Sequence, residues 1–441
     1  MQRKLALGLG LGSAAVLVGV GVVFFPRLSS APRANPVPIS APEFAQWKAN
    51  GLPATGSEVI QPPITDAENA GVEWTKIQTL YRQRELPFMD RSVFWDENNW
   101  DNGSVDKILA ANDDITQLLI AASKKPRMAP ARDWDQGIWA GYENHSMSTQ
   151  VFWALSYNAF KKARQQDYKG AVEYLETGRR FADLFAQHPL SDGKYAALEL
   201  RNALVDSASV CAALMADKPQ ALTALREFLN KIDWKIDWPQ TARAYAYIAF
   251  STFRVLSDDQ LKVIDADPKK LSGDLPRPNS PLAGEMLRGP LAQSVEVEVM
   301  NYWNKFYPRI AAAKEPLEKI FAAMEDERLV YRTSLSSAKQ LAALRLIPFD
   351  GIGDQAQVFV PRRNLALAYI SLLEYRHKTK TLPKTLKEAG IPEFEKSTQQ
   401  PIAYSLVDGT AQIALSESSF SLRYPMTIFP RTPRKPSPAK N

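Results

Sequence analysis

The chain has 441 residues, 45% of them hydrophobic, and a formal net charge of +6. That apolar content supports one large or several ordinary domains and excludes wholesale disorder. Much of the positive excess lies in the tails, at Arg3, Lys4, Arg27 and Arg33 and at Arg431, Arg434, Lys435 and Lys440, so the body is near neutral and no nucleic-acid partner is expected. A single cysteine, Cys211, excludes an intrachain disulfide framework and a multi-cysteine metal site; it lies on an apolar stripe with Leu200, Leu204, Ala208 and Met215 and reads as a small core residue.

Leu5–Phe25 is an uncharged run of 21 residues behind a four-residue arm, residues 1–4. As a helix it would span roughly 30 Å, the thickness of a bilayer's hydrocarbon core. The flanking cations are nearly balanced, and the short arm favours a cytoplasmic N-terminus. The run is therefore read as a transmembrane signal anchor over residues 5–25. A cleaved signal peptide is the alternative, opposed by the length of the run and by prolines around Ser29, Ala31 and Ala34. Residues 26–65 are Pro-rich and read as a semi-extended linker, within which Glu43–Ala49, bearing Phe44 and Trp47, has the pattern of a helical turn against the body or the membrane interface.

A helical domain is expected over 66–390. A helix around Val72 to Gln83 precedes one from Ser104 to Ala122, capped by Ser104, with Ile108, Ala111, Ile115, Leu118 and Leu119 inward. Ser148 to Gln187 reads as a helical hairpin, with Phe152, Leu155 and Ala159 on one helix and Tyr174, Gly178, Phe181 and Phe185 on the other. Its turn at Asp167-Tyr168, followed by Ala171, Leu175 and Gly178, looks like the second helix of a tetratricopeptide repeat. Asn158 and Lys162 break that pattern in the first helix, and no copy recurs 34 residues on. Helical stripes then run from Asp192 to Met215, from Pro219 with Leu222, Leu225, Leu229 and Ile232, and from Thr241 to Leu256. After a proline-rich loop near 265–293 come a stripe of Val295, Val299, Trp303, Phe306 and Ile310, a helix opened by Pro316, and a last long helix over Arg362–Lys378.

Past Gly390 the period changes to two. Ile402–Val407, Ala411–Leu415 and Phe420–Tyr424 read as strands, with Asp408-Gly409 as a hairpin turn, so a small antiparallel β element is expected over 391–426 and a disordered basic tail over 427–441. The long helix ending at Tyr375-Arg376, then Leu382-Pro383, Leu386, Glu388, Pro392, Pro401, Tyr404 and the hairpin, resembles the tail of type II secretion pseudopilins and of a group of membrane-anchored helical bacterial proteins. The resemblance covers about 60 of 441 residues and implies the fold of that tail. Gln400 and Ile402 depart from its pattern, and the calcium-binding carboxylates and pilin-type N-terminus are missing, so a filament role is not implied.

No nucleotide fingerprint, phosphate loop or nucleophile elbow occurs, and His145, His188 and His377 have no ligand-type partner at helical spacing, so no catalytic residue, cofactor or metal is assigned. The sharpest constellation lies in two loops. One carries Trp95, Asp96, Trp100 and Asp101; the other carries Asp133, Trp134, Asp135 and Glu143. Rings that stack on sugar faces, interleaved with carboxylates, suit a glycan site; the competing structural role is aromatics plugging loops onto the core while Asp and Asn cap helices. The run from Asp96 is not a calcium loop, because Trp100 and Asp101 stand where an acidic residue and a glycine belong. The sequence thus leads to a mainly α protein: an N-terminal transmembrane helix, a body of helix hairpins arranged as a tetratricopeptide-like solenoid or bundle, and a small C-terminal antiparallel β element. Its expected place is the cytoplasmic membrane, single-pass, with the body on the periplasmic or extracellular side. Its expected role is a scaffold binding a protein partner, with glycan binding or cleavage through residues 94–103 and 133–145 as the alternative.

Overall fold

A computed structural model of the chain describes residues 40–60, 62–84, 97–129, 134, 145–233, 237–254, 292–336, 338–339, 342, 350–407, 409–415 and 421–424. The fold is mainly α-helical with a small antiparallel sheet near the C-terminus. The helices are α1 (Pro42–Ala49), α2 (Gly71–Gln83), α3 (Glu97–Asp101), α4 (Ser104–Ala111), α5 (Asp113–Ser123), α6 (His145–Arg164) and α7 (Tyr168–Ala186). They continue as α8 (Ser191–Leu214), α9 (Pro219–Lys231), α10 (Trp238–Arg254), α11 (Ala292–Ala312), α12 (Leu317–Thr333) and α13 (Asp350–Thr379). Among the described residues no helix is long and apolar enough to cross a membrane. Leu5–Phe25 lies outside the described residues, as do the linker up to residue 39, the proline-rich loop over 265–291 and the C-terminal tail.

The chain divides into two units. The first takes residues 1–61, 132–142 and 238–349; the second takes 62–131, 143–237 and 350–441.

In the first unit α11 is the hub, and α1, α10 and α12 pack on it. The expected stripe of Val295, Val299, Trp303, Phe306 and Ile310 is buried along its whole length. The helical turn expected in the linker is α1, and it is folded in. Trp47 is fully buried and stacks on Phe250 at 4.9 Å, and its Nε1 donates to Pro53 O at 2.9 Å. Asn304 Nδ2 donates to Glu43 O at 2.9 Å, and Asn50 Nδ2 donates to Asn304 Oδ1 at 3.0 Å, so a buried amide ties α1 to α11. Burying one tryptophan contributes on the order of 2–3 kcal/mol, enough to hold a helix of eight residues that would not persist alone.

The second unit is a stack of antiparallel helices. α6, α7 and α8 pack on one another, α9 packs on α7 and α8, α13 packs on α8 and α9, and α5 packs on both α7 and α2. Asp167 caps α7, accepting from Gly170 N at 2.9 Å, and Pro219 opens α9 in its first turn. The pairs α6–α7 and α8–α9 are two successive hairpins. Their period is about 50 residues rather than 34, because α6 and α8 run 20 and 24 residues. Gly178 sits where α7 closely meets α6 and α8, and an added Cβ would lie 2.7 Å from Phe152 Cε2 and 3.1 Å from Leu204 Cδ2. Ion pairs tie α13 in place: Arg362 to Asp206 at 2.6 Å, Arg226 to Glu374 at 2.8 Å and Arg376 to Asp217 at 3.0 Å.

Three expectations change. The helix expected over Ser104–Ala122 breaks at Asn112, whose Nδ2 donates to Ile108 O at 2.9 Å, so Val105 and Leu109 turn inward and Ala111 outward. Asn102, not Ser104, satisfies the start of α4: its Oδ1 accepts from Ser104 N at 2.9 Å while Gly103 takes φ +75°. The last long helix begins at Asp350 and carries Pro361 inside it, because a proline removes one backbone donor but leaves packing on the neighbouring helices intact.

The sheet has strands β1 (Ile402–Val407), β2 (Thr410–Leu415) and β3 (Ser421–Tyr424) in the order β1-β2-β3, all antiparallel, with Tyr404 opposite Ile413 and Ile413 opposite Leu422. Gly409 takes φ +75° in the first hairpin. β2 faces α13 with Ala411, Ile413 and Leu415 buried, and Tyr404 Oη donates to Pro383 O at 2.6 Å. The loop ahead of β1 winds around Glu395, which is 1% exposed. Its carboxylate accepts from Asn364 Nδ2 on α13 at 2.5 Å, from the Ser397 and Thr398 amides at 2.9 and 2.7 Å, and from their hydroxyls at 2.6 and 2.9 Å. Burial alone would raise its pKa, but these donors outweigh burial and hold it down to about 2.

Candidate functional site

The structure describes three of the eight residues singled out for a glycan site. Trp100 and Asp101 end α3 in the second unit. The Arg164 guanidinium lies 5.6 Å from the Trp100 ring centroid, and Arg164 Nη2 donates to Asp101 at 2.7 Å. The ring is half-buried on the core, so one basic side chain of α6 both covers the ring and neutralises the acid beside it. Trp134 belongs to the first unit, is 7% exposed, and its carbonyl accepts from Ser251 Oγ at 3.4 Å. Trp95, Asp96, Asp133, Asp135 and Glu143 lie outside the described residues.

Cys211 is fully buried among apolar side chains, and burial pushes its thiol pKa up. A thiolate is therefore suppressed there. His188 is 1% exposed; its Nδ1 accepts from Leu190 N at 3.2 Å, and it packs so closely on Gly193 that a Cβ there would lie 2.1 Å from the His188 Cβ. Among the described residues no group of three His, Cys, Asp or Glu side chains could hold a metal ion.

The second unit brings together a cluster that sequence reasoning passed over. An open cleft of about 450 Å³ lies between the C-terminal end of α5 and the outer face of α7. Lys124 and Lys125 follow α5 on one wall; Arg179, Arg180 and Asp183 project from α7 on the other. The apolar stripe of α7, Ala171, Leu175, Gly178, Phe181 and Phe185, is spent on the core, and Trp74 of α2 packs edge-on to Phe185 at 5.0 Å, so helical geometry turns these cations outward.

The wall is held by ion pairs. Arg179 Nε donates to Glu176 at 2.8 Å and its Nη1 to Asp183 at 2.7 Å, while Lys231 of α9 reaches Glu176 at 3.1 Å. Burial raises the Glu176 pKa, but the bonds from Arg179 and Lys231 outweigh it and leave the carboxyl below its ordinary value. Asp183 also accepts from Arg201 of α8 at 2.9 Å. Arg201 is 4% exposed, and burial lowers its pKa. Beyond it Lys194, wholly buried, donates through Nζ to Ala186 O in the last turn of α7; burial lowers its pKa to about 7, against the pull of Asp237.

Lys125 pairs with Glu73 at 3.7 Å and donates to Ala67 O at 2.6 Å. Lys124 and Arg180 are exposed and make no ion pair among the described residues. The cleft thus carries four cations and one carboxylate, and that carboxylate is already claimed twice. The signal in sequence was the two dipeptides Lys124-Lys125 and Arg179-Arg180; averaging charge over a near-neutral body hid it. No family model matches the chain, and no curated protein and no solved structure matches it.

Proposed function

We propose that this protein is a membrane-anchored, extracytoplasmic binding scaffold whose stacked hairpins present the cleft between α5 and α7 to a ligand or partner. The single observation behind this reading is the cleft itself: an open cavity with a rigid, ion-paired wall and two unspent cations, on a helix whose apolar face is fully committed to the core. Fixed wall residues lower the ordering cost of binding. The anchor rests on the 21-residue uncharged run Leu5–Phe25, which is long enough to span a bilayer. The hairpin order α6–α7–α8–α9 supports a tetratricopeptide-like arrangement with a longer period, and the C-terminal hairpin after α13 supports kinship of that tail with pseudopilin tails in fold alone. The glycan reading rests, among the described residues, on Trp100, Asp101 and the buried Trp134, and the Arg164 stack on Trp100 makes it the weaker of the two.

The test is site-specific photo-crosslinking of the full chain in its membrane. A photoreactive residue at Lys124 or Arg180 is expected to give the same adduct, and one at the exposed Glu173, earlier on α7, to give none. Adducts at all three positions, or at none, would sink the reading.

A further inference from the structure

We infer that the cleft between α5 and α7 is a site for a phosphate group, carried either by a free phosphate or by an anionic lipid headgroup. The inference rests on the reading of this cleft as the ligand surface and adds the chemistry of what enters it.

The ion pairs in the wall account for Arg179 and Asp183, and the contacts to Ala67 and Glu73 account for Lys125. Helix dipoles account for Lys124 in part, since it is the C-cap of α5 and a cation there offsets the exposed carbonyls. They do not account for Arg180, which lies well before the last turn of α7, beyond the reach of that effect. An exposed guanidinium on one wall and an exposed ammonium on the other therefore face one cavity. A guanidinium offers a planar fork for two oxyanion oxygens and an ammonium a point charge, and together they suit a phosphate better than a planar carboxylate held by one wall. Behind the wall, Arg201 adds a further buried positive charge close to Asp183. The four cations of the cleft outnumber the three carboxylates of the cleft and its wall, Asp183, Glu176 and Glu73, and Arg201 and Lys231 widen the excess. A ligand of opposite sign would be drawn in most strongly at low salt.

The test is calorimetric titration of the detergent-solubilised full chain with inorganic phosphate, and separately with dihexanoyl phosphatidic acid against dihexanoyl phosphatidylcholine. Saturable binding of phosphate identifies a free-phosphate site, and binding of the phosphatidic acid alone identifies a headgroup site. In either case the double variant Lys124→Gln/Arg180→Gln is expected to weaken binding on the order of tenfold or more, and Lys169→Gln, which removes an exposed cation from the first turn of α7, to leave it unchanged. Binding of neither probe, equal binding by the double variant, or equal loss in Lys169→Gln would overturn the inference. If photo-adducts form at Lys124 and Arg180 while neither probe binds, the cleft remains the ligand surface and the phosphate class falls. Absence of both adducts and binding ends both.

Discussion

The helix stack and the C-terminal element belong to one unit but are held in different ways. In α6, α7 and α8 the joints are mainly apolar, and a close approach is made by the missing side chain at Gly178. In the C-terminal element the strands add apolar side chains to the core, but the loop that leads into them is organised around one buried charge, Glu395, with donors from its own loop and from α13. Packing is insensitive to pH and tolerates small changes of shape poorly; a buried carboxylate tolerates shape but depends on its charge. The stack holds charged joints of its own, at Arg201–Asp183 and at Lys194, so the contrast can be pressed inside a single array.

The largest effect is expected at Gly178. Leucine there must displace the buried Phe152 ring, and Gly178→Leu should lower unfolding free energy by about 3 kcal/mol or more in urea titration, with no change in its pH dependence. A loss below about 1 kcal/mol would mean that α6 and α8 are not locked on α7 as tightly as the contact implies.

The next is Glu395→Gln, expected to cost about 2 kcal/mol at pH 7, because it removes a charged acceptor with several donors left facing it. The Glu395 pKa in the folded chain is about 2, below its ordinary 4.5. Its contribution is therefore complete above pH 4.5 and is lost as the pH falls through that value towards 2. Acid titrations of stability should show this loss in the wild type and a flatter curve in Glu395→Gln. Parallel curves would remove Glu395 as the pH-sensitive joint.

The smallest is at Lys194, and its sign is opposite. Folding lowers its pKa from 10.5 to about 7, so between these values the unfolded chain holds the proton that the folded chain releases. Stability due to this residue rises with pH across that window, and the buried charge is a burden below it. Lys194→Met should be more stable than the wild type at pH 6, by at least about 1 kcal/mol, with the difference shrinking by pH 10. Equal stability at both pH values would show that Lys194 keeps its ordinary titration.

Much of the fold was legible because local rules agreed with the final packing. The stripe from Val295 to Ile310, the run from Leu222 to Ile232 behind Pro219, the turn at Asp167-Tyr168 and the strand over Ile402–Val407 all lie where local pattern put them. The errors came where a local signal had a rival. Ser104 is a good cap, but the helix takes it in as its first residue and Asn102, two residues earlier, accepts from its amide, and Asn112 broke a continuous apolar pattern by bonding its own helix. The last long helix was expected only from Arg362, yet it begins at Asp350 and runs through Pro361. The candidate site was the least legible part. Lys124 and Arg180 are far apart in sequence and share a cavity only because α5 and α7 pack side by side.

The sequence by itself determined what depends on short-range chemistry. It set which faces of the helices are apolar, where proline and aspartate begin them, where period two replaces period 3.6, and that one cysteine forms no intrachain bridge. Tertiary structure alone decided what depends on distance between residues remote in the chain: that Trp47 of the linker stacks on Phe250 of α10, that Gly178 admits Phe152 and Leu204, that Asn364 meets Glu395, and that four cations line one cleft. The physical reason is the same in each case. A side chain's own periodicity says that it must be buried or solvated, but only the packing of whole elements chooses its partner.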